Sequence, residues 1–209
     1  KYNVTELDML DETWEYEDFS GYDTVIHVAG IAHNSNDKKL DGLYYKVNRD
    51  LAIKTANKAK NEGVKQFIFM SSMIIYGKDA SIKEEKIIDS NTIPEAENAY
   101  GNSKLQADLE IQKLADDNFK TVIIRTPMVY GPDCKGNFAK LKKLANVCPI
   151  FPDIENKRSM IYIYNLCEFY RQAIEGKYNG VYYPQNSEYV STKEIVKYLA
   201  EEQGKKIHF

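Results

Sequence analysis

Apolar residues run almost unbroken through Val64 to Ser71 (Val-Lys-Gln-Phe-Ile-Phe-Met-Ser) and Lys120 to Thr126 (Lys-Thr-Val-Ile-Ile-Arg-Thr), and Asp23-Thr-Val-Ile-His-Val-Ala-Gly30 ends in a glycine turn. Short apolar runs of this kind, bounded by breakers, predict strands buried on both faces. Between them the period changes. Leu40, Leu43, Tyr44, Val47, Leu51, Ile53, Ala56 and Ala59 recur at helical spacing, and Gly63 stands where a helix cap is wanted. A charged loop holding Pro94 spans Tyr76 to Asn98, and a second helix is expected over Ala99 to Asn118. Tyr2 to Asp8 alternates as a short strand would. Strands alternating with helices predict an α/β fold: a parallel sheet with helices on both faces and strand order 23–30, 64–71, 120–126.

Beyond Pro127 the pattern fragments. Gly131-Pro132, Pro149 and Pro152 break it into a helix at Asn137–Asn146, a strand at Ser159–Ile163, a helix at Asn165–Glu175, the strand Val181-Tyr-Tyr183, and a helix from Thr192 to Gln203. Ser191 or Thr192, with Glu194 just after, is a helix-start signal. The division expected is a first domain over 1–130 and a smaller lobe over 131–209, interleaved with it.

Composition narrows the function classes. With 209 residues, a net charge of −3 and no extended basic run, nothing points to nucleic acid or a membrane surface. The lysines from Lys140 to Lys143 read as a solvated helix face. Cys134, Cys148 and Cys167 are odd in number and lack Cys-x-x-Cys spacing, so neither a disulfide framework nor a metal site is expected. That usage suits the cytoplasm.

The chemistry centres on Tyr100-Gly-Asn-Ser-Lys104. Positions i and i+4 share one helix face, and an ammonium beside a phenol favours the phenolate. The expectation is a lowered Tyr100 pKa and proton exchange with an alcohol or ketone. Among 16 tyrosines a chance match is easy, but context supports this one. A strand ends at Ser71-Ser72, and the carboxyl edge of a parallel sheet is where such folds take ligands.

His27-Val-Ala-Gly30, Asn48, Ser71-Ser-Met-Ile-Ile-Tyr-Gly77, Tyr100-Gly-Asn-Ser-Lys104, Val129-Tyr-Gly-Pro132, Gly136-Asn-Phe138 and Asn156-Lys-Arg-Ser159 occur in one order along nearly the whole chain. In these the sequence resembles extended short-chain dehydrogenases/reductases of the NAD-dependent epimerase/dehydratase family. The resemblance implies a Rossmann-like, doubly wound sheet and NAD or NADP as cofactor. It implies Tyr100 as the proton-transfer residue, Lys104 on the nicotinamide ribose and Ser72 on the reacting sugar oxygen. Asp8 and Met9 would flank the adenine. Ala29, Gly30, Ser71, Pro127 and Val129 would line the cofactor, and Asn48 would support the active-site helix. Asn137, Phe138 and Arg158 would hold a nucleotide-diphosphate sugar, a UDP-hexose being favoured; the competing reading of Arg158 is a surface ion pair. His27 reads as structural, His33 as a candidate contact to sugar or cofactor, and Cys134 has no assigned role. The resemblance also makes a helix-mediated homodimer an expected partner state.

One family feature is missing from the sequence. No Gly-x-x-Gly-x-x-Gly follows a first strand, and Tyr2–Asp8 resembles the family's third. The sequence therefore reads as an internal piece of a longer chain, and NAD(H) binding by this piece alone is expected to be very weak. The absent strands should also bare one edge of the 23–30 strand. The function expected of the whole protein is 4-epimerisation or 4-keto reduction of a nucleotide sugar. A non-catalytic dinucleotide- or nucleotide-sensing protein is the alternative. Dehydration is disfavoured, because Met73 and Ile74 stand where dehydratases carry an acid.

Overall fold

The computed structural model describes residues 2–32, 38–77, 86–89, 91–153 and 156–209. His33, a candidate contact from the sequence, lies outside them. Among the described residues there are six strands: β1 (Thr24–His27), β2 (Gln66–Ser72), β3 (Lys120–Thr126), β4 (Met128–Tyr130), β5 (Met160–Tyr162) and β6 (Gly180–Tyr182). Four form one parallel sheet in the order β1-β2-β3-β6, while β4 and β5 pair as a parallel two-stranded ribbon. The helices are α1 (Asp41–Tyr44), α2 (Ala52–Asn61), α3 (Ala99–Gln112), α4 (Asn137–Val147), α5 (Ile163–Glu175) and α6 (Thr192–Glu201).

The unbroken apolar strands earn their place because both sheet faces are covered. Phe67, Phe69 and Ile123 pack with Ala52, Ala56, Ala107 and Ile111 from α2 and α3. On the opposite face Ile68, Val122 and Ile124 meet Leu166 and Ala173 of α5. A third cluster joins α4 to α6 through Ala145, Ile195, Val196 and Leu199. Each buried side chain of this size contributes about 1.5–3 kcal/mol, so the central strands hold the fold. The start of α6 follows its sequence signal: the Ser191 hydroxyl accepts from Glu194 N, and the Glu194 carboxylate accepts from Ser191 N.

Two expectations need correction. Tyr2–Asp8 forms no strand; it is exposed, non-regular chain, anchored where Tyr2 Oη donates to Glu175 Oε1 at 2.8 Å. A strand requires a neighbour to exchange hydrogen bonds with, and none of the six offers it one. The second helix stops at Gln112, because Asp116 Oδ1 accepts from Asn118 N and Phe119 N and turns the chain into β3. The 180–182 strand joins the main sheet beside β3. The outer edge of β1 pairs with no other described strand, and Ile26 on it is half-exposed.

Candidate active site

The site lies at the carboxyl edge of the sheet, where β1 and β2 run into loops. Ser72 ends β2 and caps a short 3-10 turn, Met73–Tyr76, its hydroxyl accepting from Ile74 N at 3.3 Å. Asn98 caps α3 by accepting from Gly101 N at 2.8 Å, which sets Tyr100 on the first turn facing Ser72. The Ser72 hydroxyl is close enough to the Tyr100 phenol to lower its pKa. The Tyr100 ring also leans on Tyr44, with centroids 5.7 Å apart.

One turn along α3, Lys104 is buried. Its ammonium donates to Met70 O at 3.0 Å and lies 4.8 Å from the Phe69 ring centroid. Burial lowers its pKa to about 8. The Tyr100 pKa runs against the sequence expectation: it is raised, by burial first, with Ser72 lowering it and Tyr44 raising it. The reason is geometric. Lys104 points its charge at the Met70 carbonyl and not at the phenol, so desolvation prevails.

Asn48 joins these groups to the loop after β1. It is fully buried, its Oδ1 accepts from Ile31 N at 2.8 Å, and its Nδ2 donates to Ile31 O at 3.0 Å. Gly30 fits here because it lacks a side chain. A Cβ there would sit 2.9 Å from Asn48 Oδ1 and 3.3 Å from Lys104 Nζ. Ser72, Tyr100, Lys104, Asn48 and Gly30 thus come together, with Ala29 beside Gly30.

The other candidates are placed differently. Ser71 faces the opposite way from Ser72 and donates to Asp108 Oδ2 at 2.7 Å in the interior. Asp8 is exposed and accepts from Leu10 N at 2.9 Å, while Met9 packs on the core. Pro127 is half-buried between β3 and β4; Val129, within β4, packs on the α5 side of the sheet. Asn137 opens α4 and is exposed; the Phe138 ring lies tilted against Tyr130, with centroids 5.5 Å apart. Arg158 is half-buried and donates from Nε to Thr192 Oγ1 at 3.0 Å.

Sequence reasoning missed a buried polar network next to this site. Arg125 donates to Asp108 from Nε (3.0 Å) and Nη2 (2.9 Å), and from Nη1 to Tyr76 Oη (2.7 Å) and Tyr183 Oη (2.9 Å). Burial acts to lower the Arg125 pKa, but the bonds and charge of Asp108 outweigh it and leave it raised. Burial and then Tyr183 push Tyr76 up to about 12. Two signals were available: an arginine inside an apolar strand, and an aspartate at the next i+4 position after Tyr100 and Lys104. Among the described residues no group of acidic, His and Cys side chains could hold a metal, and no helix is long and apolar enough to cross a membrane.

A family model described as "NAD dependent epimerase/dehydratase family" matches residues 1–184. The chain belongs to this family. A UDP-glucose 4-epimerase of Vibrio cholerae is 35% identical over 184 residues, covering 84% of this chain and 56% of that protein. An N-acetyl-alpha-D-glucosaminyl-diphospho-ditrans,octacis-undecaprenol 4-epimerase of Escherichia coli O157:H7 is 28% identical over 178 residues, 82% of this chain and 52% of its own. The chain spans about half the length of these curated relatives. Among solved structures, a UDP-glucuronic acid 4-epimerase from Bacillus cereus in complex with NAD superposes with a TM-score of 0.77 at 23% identity, over 94% of this chain and 65% of that one. At that identity the likeness establishes the Rossmann-like fold, in keeping with the parallel sheet of this family member.

Proposed function

We propose that this family member carries the proton-transfer centre of a nucleotide-sugar 4-epimerase or 4-ketoreductase that uses NAD or NADP. The observation that carries the reading is Ser72 beside Tyr100 with Lys104 one helical turn away, packed against Gly30 and Asn48. The residues suit a nicotinamide ribose. The Lys104 ammonium has three N–H donors, and among the described residues its hydrogen-bond acceptor is Met70 O. That leaves donors for ribose hydroxyls. Ala29, Gly30, Pro127 and Val129 would line the cofactor and Asp8 and Met9 its adenine; Ser71, held by Asp108, would act from behind the site.

When bound, the nicotinamide supplies hydride exchange with the sugar carbon. The protein's part is the proton and the orientation. Tyr100 exchanges the proton of the sugar hydroxyl, and Ser72 holds that oxygen. With its pKa raised, Tyr100 is a proton donor at neutral pH, the form that keto reduction needs. Taking a proton from a hydroxyl requires positive charge near the phenol, which Lys104 can provide by turning from Met70 O. Asn137, Phe138 and Arg158 are the proposed contacts to a UDP-hexose, Arg158 being permanently charged and forked for phosphate. The V. cholerae relative, a UDP-glucose 4-epimerase, supports epimerisation of a UDP-hexose. A second copy docking on the side of α1, α2 and α3 is the proposed partner, with Leu43 of α1 and Leu109 of α3 exposed.

The test is Tyr100→Phe in the protein that carries this chain, assayed with UDP-glucose and NAD. Turnover should fall by at least ~100-fold, while substrate affinity stays within about tenfold, because a transition-state proton transfer is lost and the ground-state contact mostly is not. Near-normal turnover would end the catalytic reading in favour of a nucleotide-sensing protein.

A further inference from the structure

The Arg125 network has a hydrogen-atom count that can be closed. Nη1 carries two N–H groups, and it donates one to Tyr76 Oη and one to Tyr183 Oη. The two phenols lie 3.0 Å apart and share one further hydrogen bond. Two phenolic protons remain for that single contact, so one must point elsewhere. Tyr76 is 3% exposed, and Arg125 and Tyr183 are the hydrogen-bond partners of its oxygen. Turning its proton away from Tyr183 would leave a buried donor with no acceptor, which is unfavourable. Tyr76 therefore donates to Tyr183, in keeping with a phenol whose pKa is pushed up to about 12 and which stays protonated. The proton left over belongs to Tyr183, which is 42% exposed.

The position of that proton is specific. Tyr183 follows the last ladder pair of β6, Tyr182 with Ile124, and so stands beside Arg125 at the carboxyl edge of the sheet. Ser71 is the register partner of Arg125 on the other side, and Ser72 comes next in β2. Ligands of open parallel sheets bind along this edge. A hydroxyl that already accepts from a guanidinium and from another phenol is polarised towards donating.

We propose that Tyr183 is a ligand-binding residue, its O–H set outward by Arg125 and Tyr76 to donate a hydrogen bond to an oxygen of the bound sugar. The sugar is the chosen acceptor because Tyr183 stands at the same carboxyl edge of the sheet as Ser72, two strands away, whereas the proposed diphosphate residues sit on α4 and near the Arg158–Val190 bridge. The proposal rests on the nucleotide-sugar reading above.

The experiment has two arms. Calorimetry with UDP-glucose and with UDP compares the unsubstituted protein with Tyr183→Phe. The expected result is a loss of roughly 3- to 10-fold in UDP-glucose affinity, with UDP changed by less than about twofold. Retained UDP affinity in the Tyr183→Phe protein guards against misfolding of the variant. In the second arm, ligand-free protein labelled at the tyrosine ζ carbons is followed by NMR hydroxyl exchange. The Tyr76 hydroxyl proton should be protected and that of Tyr183 should exchange quickly with water. Unchanged UDP-glucose affinity in a protein that binds it overturns this proposal alone, and equal losses for both probes overturn the sugar as acceptor. Binding of neither probe by the unsubstituted protein sinks the nucleotide-sugar reading and this proposal together. A protected Tyr183 proton overturns the outward donor whether or not the probes bind.

Discussion

His27, at the last position of β1, is 4% exposed, and its Nε2 has no hydrogen-bond partner. Its ring stacks with Phe67 at 6.0 Å and lies tilted against Phe69 at 6.1 Å, and Lys104 is the charge that bears on it. Burial first, and then Lys104, lower its pKa from 6.5 to about 3. Above pH 6.5 the ring is neutral in both the folded and the unfolded chain and has no effect on the pH dependence. Below that, the unfolded chain takes the proton and the folded one does not, so stability falls with pH until about 3, where the folded state also protonates. His27→Leu, close in volume and with no proton to take up, should change stability at pH 7.5 by less than about 1.5 kcal/mol. It should also flatten the acid limb below pH 6.5. Urea titrations from pH 7.5 to pH 4 check this; an unchanged acid slope would show that His27 titrates normally.

Between α1 and α2 the helix carries a π turn, Tyr45–Leu51, with Asn48 at its centre. A π turn widens the helix by one residue and often marks a functional position. Here it carries an amide that meets both backbone groups of Ile31, so the loop leaving β1 is held to the helix. The Asn48 amide also reaches Ser103 Oγ at 3.4 Å, tying the same helix to α3. Asn48→Ala would leave these partners without replacements in a buried place. The expected cost is about 2–4 kcal/mol, with faster amide exchange at Ile31. Denaturant unfolding and hydrogen exchange measure the two effects; a loss below about 1 kcal/mol would mean that water replaces the amide.

At the scale of the molecule, Asp108 and Arg125 connect α3, β2 through Ser71, β3, and the end of β6 through Tyr183. The pair is fully desolvated, with side-chain exposures of 0% and 7%. Such pairs add little net stability against apolar replacements, yet breaking one strands a buried charge. Asp108→Leu should cost about 3–5 kcal/mol, and Asp108→Leu/Arg125→Met should recover more than half of that. Equilibrium unfolding of the three proteins decides it. A double variant no more stable than the single one would show that the charges themselves hold the sheet edge.

Local rules were enough for much of this. The buried strands at 66–72 and 120–126, the Tyr100–Lys104 row on one helix face and the Ser191–Glu194 cap all follow from periodicity and spacing within a few residues, which is why they were legible. The family motifs also marked Ser72, Asn48 and Gly30, and the fold brings these to the same edge. What could not be read depends on contacts between distant positions. Tyr2–Asp8 has strand-like alternation, but a strand exists only if a neighbour receives its hydrogen bonds. The charge on Lys104 went to Met70 O, 34 residues away, and with it went the expected lowering of the Tyr100 pKa. The partners of Arg125 lie 17, 49 and 58 residues off, and β6 finds its place beside β3 from the far end of the chain. Side-chain chemistry at this sheet edge is set by which groups lose water together, and only the packed structure decides that.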